Sequence, residues 1–177
     1  MRRLHMKKGY VHVYTGNGKG KTTAALGLTA RALGAGLRVY IGQFFKQGDY
    51  SEIKFLSNCG HDVTIEQFGG GCSLFSPPTN EDRANAQKGF ARVSAILKNG
   101  DYDVIILDEL NVALHHGVLS VGDVVTALTE RNGACEVIVT GRNAPEEIIA
   151  IADLVSEIAE RKHYFTKGVP ARRGIEL

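Results

Sequence analysis

The 177 residues predict an α/β domain in three layers, with helices on both faces of a mostly parallel central sheet of about six strands. Three observations carry that prediction. Short apolar, β-branched runs alternate along the chain with longer segments whose apolar residues recur at helical spacing. The first such run, residues 10–15, passes through a glycine-rich turn directly into a helical segment. A later one, residues 102–109, holds a continuous apolar stretch that ends in two carboxylates, Asp108 and Glu109, as a strand covered on both faces does.

The turn after the first strand is Gly16-Asn17-Gly18-Lys19-Gly20-Lys21-Thr22-Thr23. Its glycines let consecutive backbone N–H groups curl around an anion, and the helix that follows points its positive end the same way. Lys21 is spaced to reach phosphate oxygens, and Thr22 to ligate a magnesium (or manganese) ion bridging them. Strand, glycine-rich turn, Gly-Lys-Thr and helix together predict a P-loop NTPase (RecA-like) fold and a nucleotide–magnesium site. The loop departs from the common spacing in one respect. Thr15 stands where a small residue, mostly glycine, is usual, so Gly16 opens a loop one residue shorter, with an additional lysine, Lys19, inside it.

Size and composition bound the rest. A chain of this length is one domain, residues 1–177, with a short basic arm at 1–8 and a tail at 159–177 expected near the active site. A net charge of +2 is too small to argue for a nucleic-acid surface. Cys59, Cys72 and Cys135 are widely separated and in no C-x-x-C arrangement, which points to a reducing, cytoplasmic setting and away from disulfides or zinc. No apolar run approaches the roughly 20 residues of a membrane span, and no apolar core or small-residue cleavage site follows the basic start.

In chain order, residues 24–33 predict the first helix, stopped by Gly34 and Gly36, and residues 37–45 the second strand. A polar loop, residues 46–50, precedes a short helix at 51–57. Alternation over 62–68 marks a third strand, and the glycine-rich stretch 69–78 is a long loop that is either functional, as such loops in α/β domains often are, or an ordinary surface loop. Thr79 caps a helix running to about Leu97, with Asp82 at its third position and Ala86, Phe90, Val93 and Leu97 on one face. The strand at 102–109 brings Asp108 or Glu109 beside the phosphate loop to hold magnesium, directly or through water. Residues 111–116 form a turn or short helix, and 121–131 a longer one. His115 and His116 do not face each other and gather no third ligand, so they remain ordinary histidines. A fifth strand at 135–140 leads to Arg142, placed where strand ends face a ligand crevice. Pro145 opens a helix at its first position, and 154–158 forms a sixth strand before a basic, aromatic tail.

These motifs resemble the P-loop ATP:corrinoid adenosyltransferases of the cobalamin pathway. The resemblance rests on the stretch from Thr15 to Ala25, with its short loop and extra lysine. It rests also on Ile106-Leu107-Asp108-Glu109-Leu110-Asn111, on Val139-Thr140-Gly141-Arg142, on Ala152 to Glu157, on Lys162-His163 and on Lys167 to Ile175. It therefore covers nearly the whole chain. It implies transfer of the 5′-deoxyadenosyl group of ATP to the Co(I) of a reduced corrinoid, with release of triphosphate. The family's loop holds the triphosphate reversed relative to ordinary NTPases, which exposes the ribose C5′ and agrees with a loop of unusual length. By the same resemblance Lys21, Lys19 and the backbone of Gly16 to Gly20 neutralise the triphosphate, Thr22 and Glu109 hold the metal with Asp108 nearby, and Asn17 and Arg31 contact the nucleoside. In the best-described branch two aromatics flank one residue after strand three. Cys72-Ser73-Leu74 occupies that place, bracketed by Phe68 and Phe75, which with Arg172 are the corrinoid candidates. A homodimer and an electron-donating flavoprotein partner are implied too.

Two other classes fit the phosphate loop. A kinase or ATPase would attack the γ-phosphate and recruit Arg142 or Arg172 to it, yielding ADP. A nucleotide-dependent regulator or corrinoid carrier would bind ATP without turnover.

Overall fold

Six strands of the computed structural model, which describes residues 6–70 and 77–176, form one sheet. They are β1 (Val11–Thr15), β2 (Val39–Phe44), β3 (Val63–Phe68), β4 (Val104–Asp108), β5 (Glu136–Thr140) and β6 (Leu154–Glu157). Their order is β3-β2-β4-β5-β1-β6, and every pairing is parallel. All six carboxyl ends therefore meet at one edge, which is where an open α/β sheet places its ligand crevice.

The helices are α1 (Lys21–Gly34), α2 (Ser51–Ser57), α3 (Asn80–Asn99), α4 (Leu110–His115), α5 (Val121–Thr129) and α6 (Glu146–Ile151), followed by a 3-10 turn at Tyr164–Lys167. The two-residue period of the strands divides the core into two layers. Val39, Ile41, Val104, Ile106 and Ile138 pack with Ala25, Ala32 and Leu33 of α1 and Leu56 of α2. Tyr40, Phe44, Ile105, Leu107, Val137 and Val139 pack on the other face with Val93 and Leu97 of α3, Val124 and Leu128 of α5 and Ile148 of α6. Asp108 continues the Val104–Ile106 side and Gln43 the Val39–Ile41 side, so both project toward the layer of α1.

Thr79 caps α3 through its hydroxyl on the Asp82 amide, and Asp82 answers on the Thr79 amide, the reciprocal box expected from their spacing. Two expected boundaries are corrected. The first helix begins at Lys21, three residues early, because the phosphate loop closes at Gly20. Pro145, at φ −61° and ψ 146°, is the residue before the helix and not its first position, since its extended ψ cannot continue into a helical turn.

Non-glycine residues with positive φ cluster where the ligand edge lies. Phe45 (φ 55°) follows β2, Glu109 (φ 58°) follows β4, and Asn143 (φ 55°) follows β5. Such backbone costs of order 1–3 kcal/mol per residue and persists where the surroundings over-determine it, most often at functional sites.

Candidate active site

The loop at residues 16–20 is folded tightly against the strand beside it. Gly18 donates its N–H to the Ile158 carbonyl at 2.7 Å, and Ile158 donates to the Thr15 carbonyl at 2.9 Å. A Cβ on Gly16 (φ 92°) would lie 2.6 Å from the Ile158 oxygen, and one on Gly18 2.7 Å from it. Both positions therefore exclude a side chain on steric grounds. Lys21 lies back over the loop, donating to the carbonyls of Gly16 (2.7 Å) and Gly18 (2.8 Å). Burial is the main cause that lowers its ammonium below the usual lysine value. The first turn of α1 leaves N–H groups without helical acceptors, directed at the mouth of the loop.

Asp108 is the hub of the site. It is 1 % exposed and accepts four hydrogen bonds from side chains of α1, β2, β5 and the loop after β2. Thr22 (2.8 Å) and Thr140 (2.7 Å) donate to Oδ1, and Lys46 (2.6 Å) and Gln43 (3.1 Å) to Oδ2. Burial opposes its ionisation, but Lys46, Thr140 and Thr22 outweigh that and hold its carboxyl below the ordinary range. The reciprocal holds for Lys46, whose ammonium is raised by Asp108 against the pull of burial. Gln67 extends the network by donating to Gln43 Oε1 at 3.0 Å.

Glu109 differs from its neighbour. Its backbone N–H is held by the Thr140 hydroxyl at 3.1 Å, and no hydrogen bond reaches its carboxylate among the described residues. Burial, with the charge of Asp108, raises its carboxyl above the usual value, while Lys46, Lys21 and Arg142 act in the opposite sense. Arg142 is exposed, on the turn after β5, and its charge is felt at both Lys21 and Glu109. Asn111 Nδ2 donates to the Gly141 carbonyl at 3.3 Å and so steadies that turn. Its Oδ1 is the one buried side-chain oxygen or nitrogen without a partner among the described residues.

The tail closes on the loop from the β6 side. Lys19 donates to Tyr164 Oη (2.8 Å) and Glu176 Oε1 (2.7 Å). Arg172 Nη2 lies 3.1 Å from the same carboxylate, its guanidinium 5.1 Å from the Tyr164 ring centre, and Tyr164 Oη also bonds Glu176. Hydrogen bonds from Arg172, Lys19 and Tyr164 hold the Glu176 carboxyl well below the ordinary range.

On the far flank, an open groove of about 580 Å³ runs along β3 and α3, lined among others by Gln67, Phe68, Lys88, Gly89 and Arg92. Phe68 packs at a tilt against Phe44, ring centres 5.4 Å apart, and leaves room for nothing larger than glycine at position 89, where a Cβ would come within 2.3 Å of its ring.

The structure thus brings together Thr15 to Thr23, Asp108, Glu109 and Arg142. It sets others apart. Phe68 ends β3, four strand positions from the β1 loop to which Arg172 is tied, or about 19 Å at the usual spacing. Arg31 is exposed in the last turn of α1, ten residues beyond Lys21 and about 15 Å along the helix. Phe75 lies outside the described residues, as do Cys72, Ser73 and Leu74. Four residues of the hub and the clasp were missed in the sequence: Lys46, Gln43, Tyr164 and Glu176. Lys46 had one available signal, its place immediately beyond a strand of a parallel sheet.

Among the described residues no group of three or more His, Cys, Asp or Glu forms a metal cluster, and no helix is long and apolar enough to cross a membrane.

Comparison with solved structures bears out the fold. A KaiC-like protein from Pyrococcus horikoshii superposes with a TM-score of 0.53 at 18% identity, covering 88% of this chain and 75% of the other. The sequence comparisons go further. The chain is 35% identical over 172 residues to the corrinoid adenosyltransferase of Pseudomonas aeruginosa, covering 97% of this chain and 85% of the relative. It is 34% identical over 174 residues to the corrinoid adenosyltransferase of Escherichia coli K12, covering 96% and 86%. The family model described as ATP:corrinoid adenosyltransferase BtuR/CobO/CobP matches residues 7–177. With its short two-lysine loop and its Asp108 hub inside that match, the chain belongs to the ATP:corrinoid adenosyltransferase family of transferases.

Proposed function

We propose that this enzyme holds ATP by its triphosphate in the loop at residues 16–20 and passes the 5′-deoxyadenosyl group to the Co(I) of a reduced corrinoid. The Co(I) electron pair forms the Co–C5′ bond as the C5′–O bond breaks, and the electrons of that bond leave with triphosphate. No proton moves, so the site needs no general base. What it must supply is alignment and neutralisation of the leaving anion.

Lys21 serves the second need by exchanging the loop carbonyls of Gly16 and Gly18 for phosphate oxygens. Lys19 adds a second cation, and the N–H groups at the start of α1 a third source of positive field. Arg142 faces the same space from the β5 turn. Thr22, Glu109 and Asp108 form a set of hard oxygen donors that fits Mg²⁺ or Mn²⁺. Such an ion, when bound, would neutralise phosphate charge there. The groove beside Phe68, joined to the Asp108 network through Gln67 and Gln43, is the face offered to the corrinoid. The reading extends to an electron-donating flavoprotein that delivers Co(I), to a homodimer and to a cytoplasmic setting.

The observation that carries the reading is the short loop, walled by Ile158 and carrying two lysines, in a chain of this family. An anaerobic assay tests it, with MgATP and a corrinoid reduced to Co(I). The expected result is loss of the Co(I) absorption band, a light-sensitive Co–C product and triphosphate in equal amount, all abolished by Lys21→Ala. Persistence of Co(I) while ATP yields ADP would overturn it.

A further inference from the structure

Lys46 belongs to none of the motifs, yet its ammonium lies at the centre of the site. Phe45, at φ 55°, turns the chain as it leaves β2 and carries Lys46 back over the carboxyl edge of the sheet. The Lys46 backbone is gripped as well. Gly69 donates to its carbonyl at 3.2 Å, and a Cβ on Gly69 would come within 2.7 Å of its main chain. Two residues on, the Gly48 amide is held by Gln67 Oε1 at 3.2 Å. The side chain, 15 % exposed, ends 2.6 Å from Asp108 Oδ2 and 3.3 Å from Thr22 Oγ1.

Those two oxygens are among the ones that would hold a divalent cation with the nucleotide. A cation seated between a hydroxyl and a carboxylate satisfies both, whether it is a metal ion or an ammonium on a four-carbon stem. We propose that Lys46 is a tethered cation that takes the metal's position while no nucleotide is bound, and that it swings onto the triphosphate when the metal–nucleotide complex enters. This rests on the reading that Thr22, Asp108 and Glu109 form the metal site. In that role Lys46 keeps the buried Asp108 paired in both states and prevents a bare metal ion from settling in the site. The metal is then admitted only with its nucleotide, because only triphosphate gives the displaced ammonium new partners.

Manganese binding measures this directly, by the loss of the free Mn²⁺ paramagnetic resonance signal on titration. Wild type, Lys46→Gln, Lys46→Met and Lys46→Arg are compared without nucleotide and with ATP, after circular dichroism shows each folded. Lys46→Gln keeps a donor for Asp108 and so stands if Lys46→Met does not fold. The neutral variants, which lose a like charge beside the metal position, are expected to bind nucleotide-free Mn²⁺ at least about tenfold more tightly than wild type. They are also expected to bind MnATP more weakly, while Lys46→Arg stays near wild type in both. Equal nucleotide-free Mn²⁺ affinity in wild type and the neutral variants would overturn the proposal and leave Lys46 a structural counter-ion. Thr22→Val and Glu109→Gln test the underlying site: MnATP affinity unchanged in both would overturn the metal reading and this proposal with it.

Discussion

Glu109 and Asp108 are adjacent carboxylates that the fold treats in opposite ways. Asp108 is saturated by four donors, whereas Glu109 is pushed by burial and by Asp108 toward its protonated form. A carboxyl whose value is raised in the folded state favours folding below its unfolded value and loses that advantage as pH rises through the folded one. Above that folded value the ligand-free protein carries the cost of ionised Glu109. Glu109→Gln is expected to raise the melting temperature there by a few degrees, roughly, with the difference vanishing toward pH 4. The same variant should lose adenosyl transfer, because the anionic oxygen donor is gone. Asp108→Asn has the reverse sign. It strands the Lys46 ammonium and is expected to cost about 3–5 kcal/mol in urea unfolding, the usual consequence of removing one partner of a buried ion pair. At this scale legibility was uneven. Lys21, Thr22 and Asp108 stand out because strand, loop and helix fix their roles locally. Lys46 does not, because a single lysine in a polar loop has no periodicity, and its partner lies 62 residues away.

Strands and helices were more legible, since each is specified by its own run of residues. The cap of α3 and the glycine turns behaved as their local chemistry requires, and the proline of α6 moved by one position. Packing between elements was not legible. Gly89 is an ordinary interior helix residue in the sequence, where alanine would be favoured by about 1 kcal/mol. In the fold it is the floor beneath Phe68, 2.3 Å from where a Cβ would sit. Gly89→Ala is therefore expected to destabilise by about 1–3 kcal/mol despite its better helix propensity. If Phe68 forms the corrinoid face, the same variant should raise KM for the corrinoid and leave KM for ATP unchanged. Steady-state assays with each substrate varied in turn check this.

Across the whole molecule, the parallel order β3-β2-β4-β5-β1-β6 buries β5 and β4 between neighbours and leaves β3 and β6 as edges. Cys135 sits where the chain enters β5, 2 % exposed, and burial pushes its thiol up to about 12. At pH 8 almost none of it is thiolate, so it should resist alkylation until the sheet opens, while the partly exposed Cys59 reacts in the native protein. Mass spectrometry of alkylated peptides along a urea series would then show Cys135 labelling follow global unfolding. The strand order itself was beyond the sequence, because adjacency in a sheet is a contact between segments that no local pattern records. The clasp of Lys19, Tyr164, Arg172 and Glu176 was hidden for the same reason, with Lys19 and Glu176 157 positions apart.

The wall that Ile158 and Ala159 make behind Gly16 and Gly18 gives the phosphate loop a hereditary partner. An extra residue in the loop would have to pass through backbone that belongs to the end of the chain, so neither segment is free to drift alone. Grafting a loop of ordinary length into residues 15–22 should then yield a protein that folds poorly. Exchanging residues 153–160 from the same donor along with it should restore folding. Loop and sixth strand form a single exchangeable module, split between the two ends of the sequence.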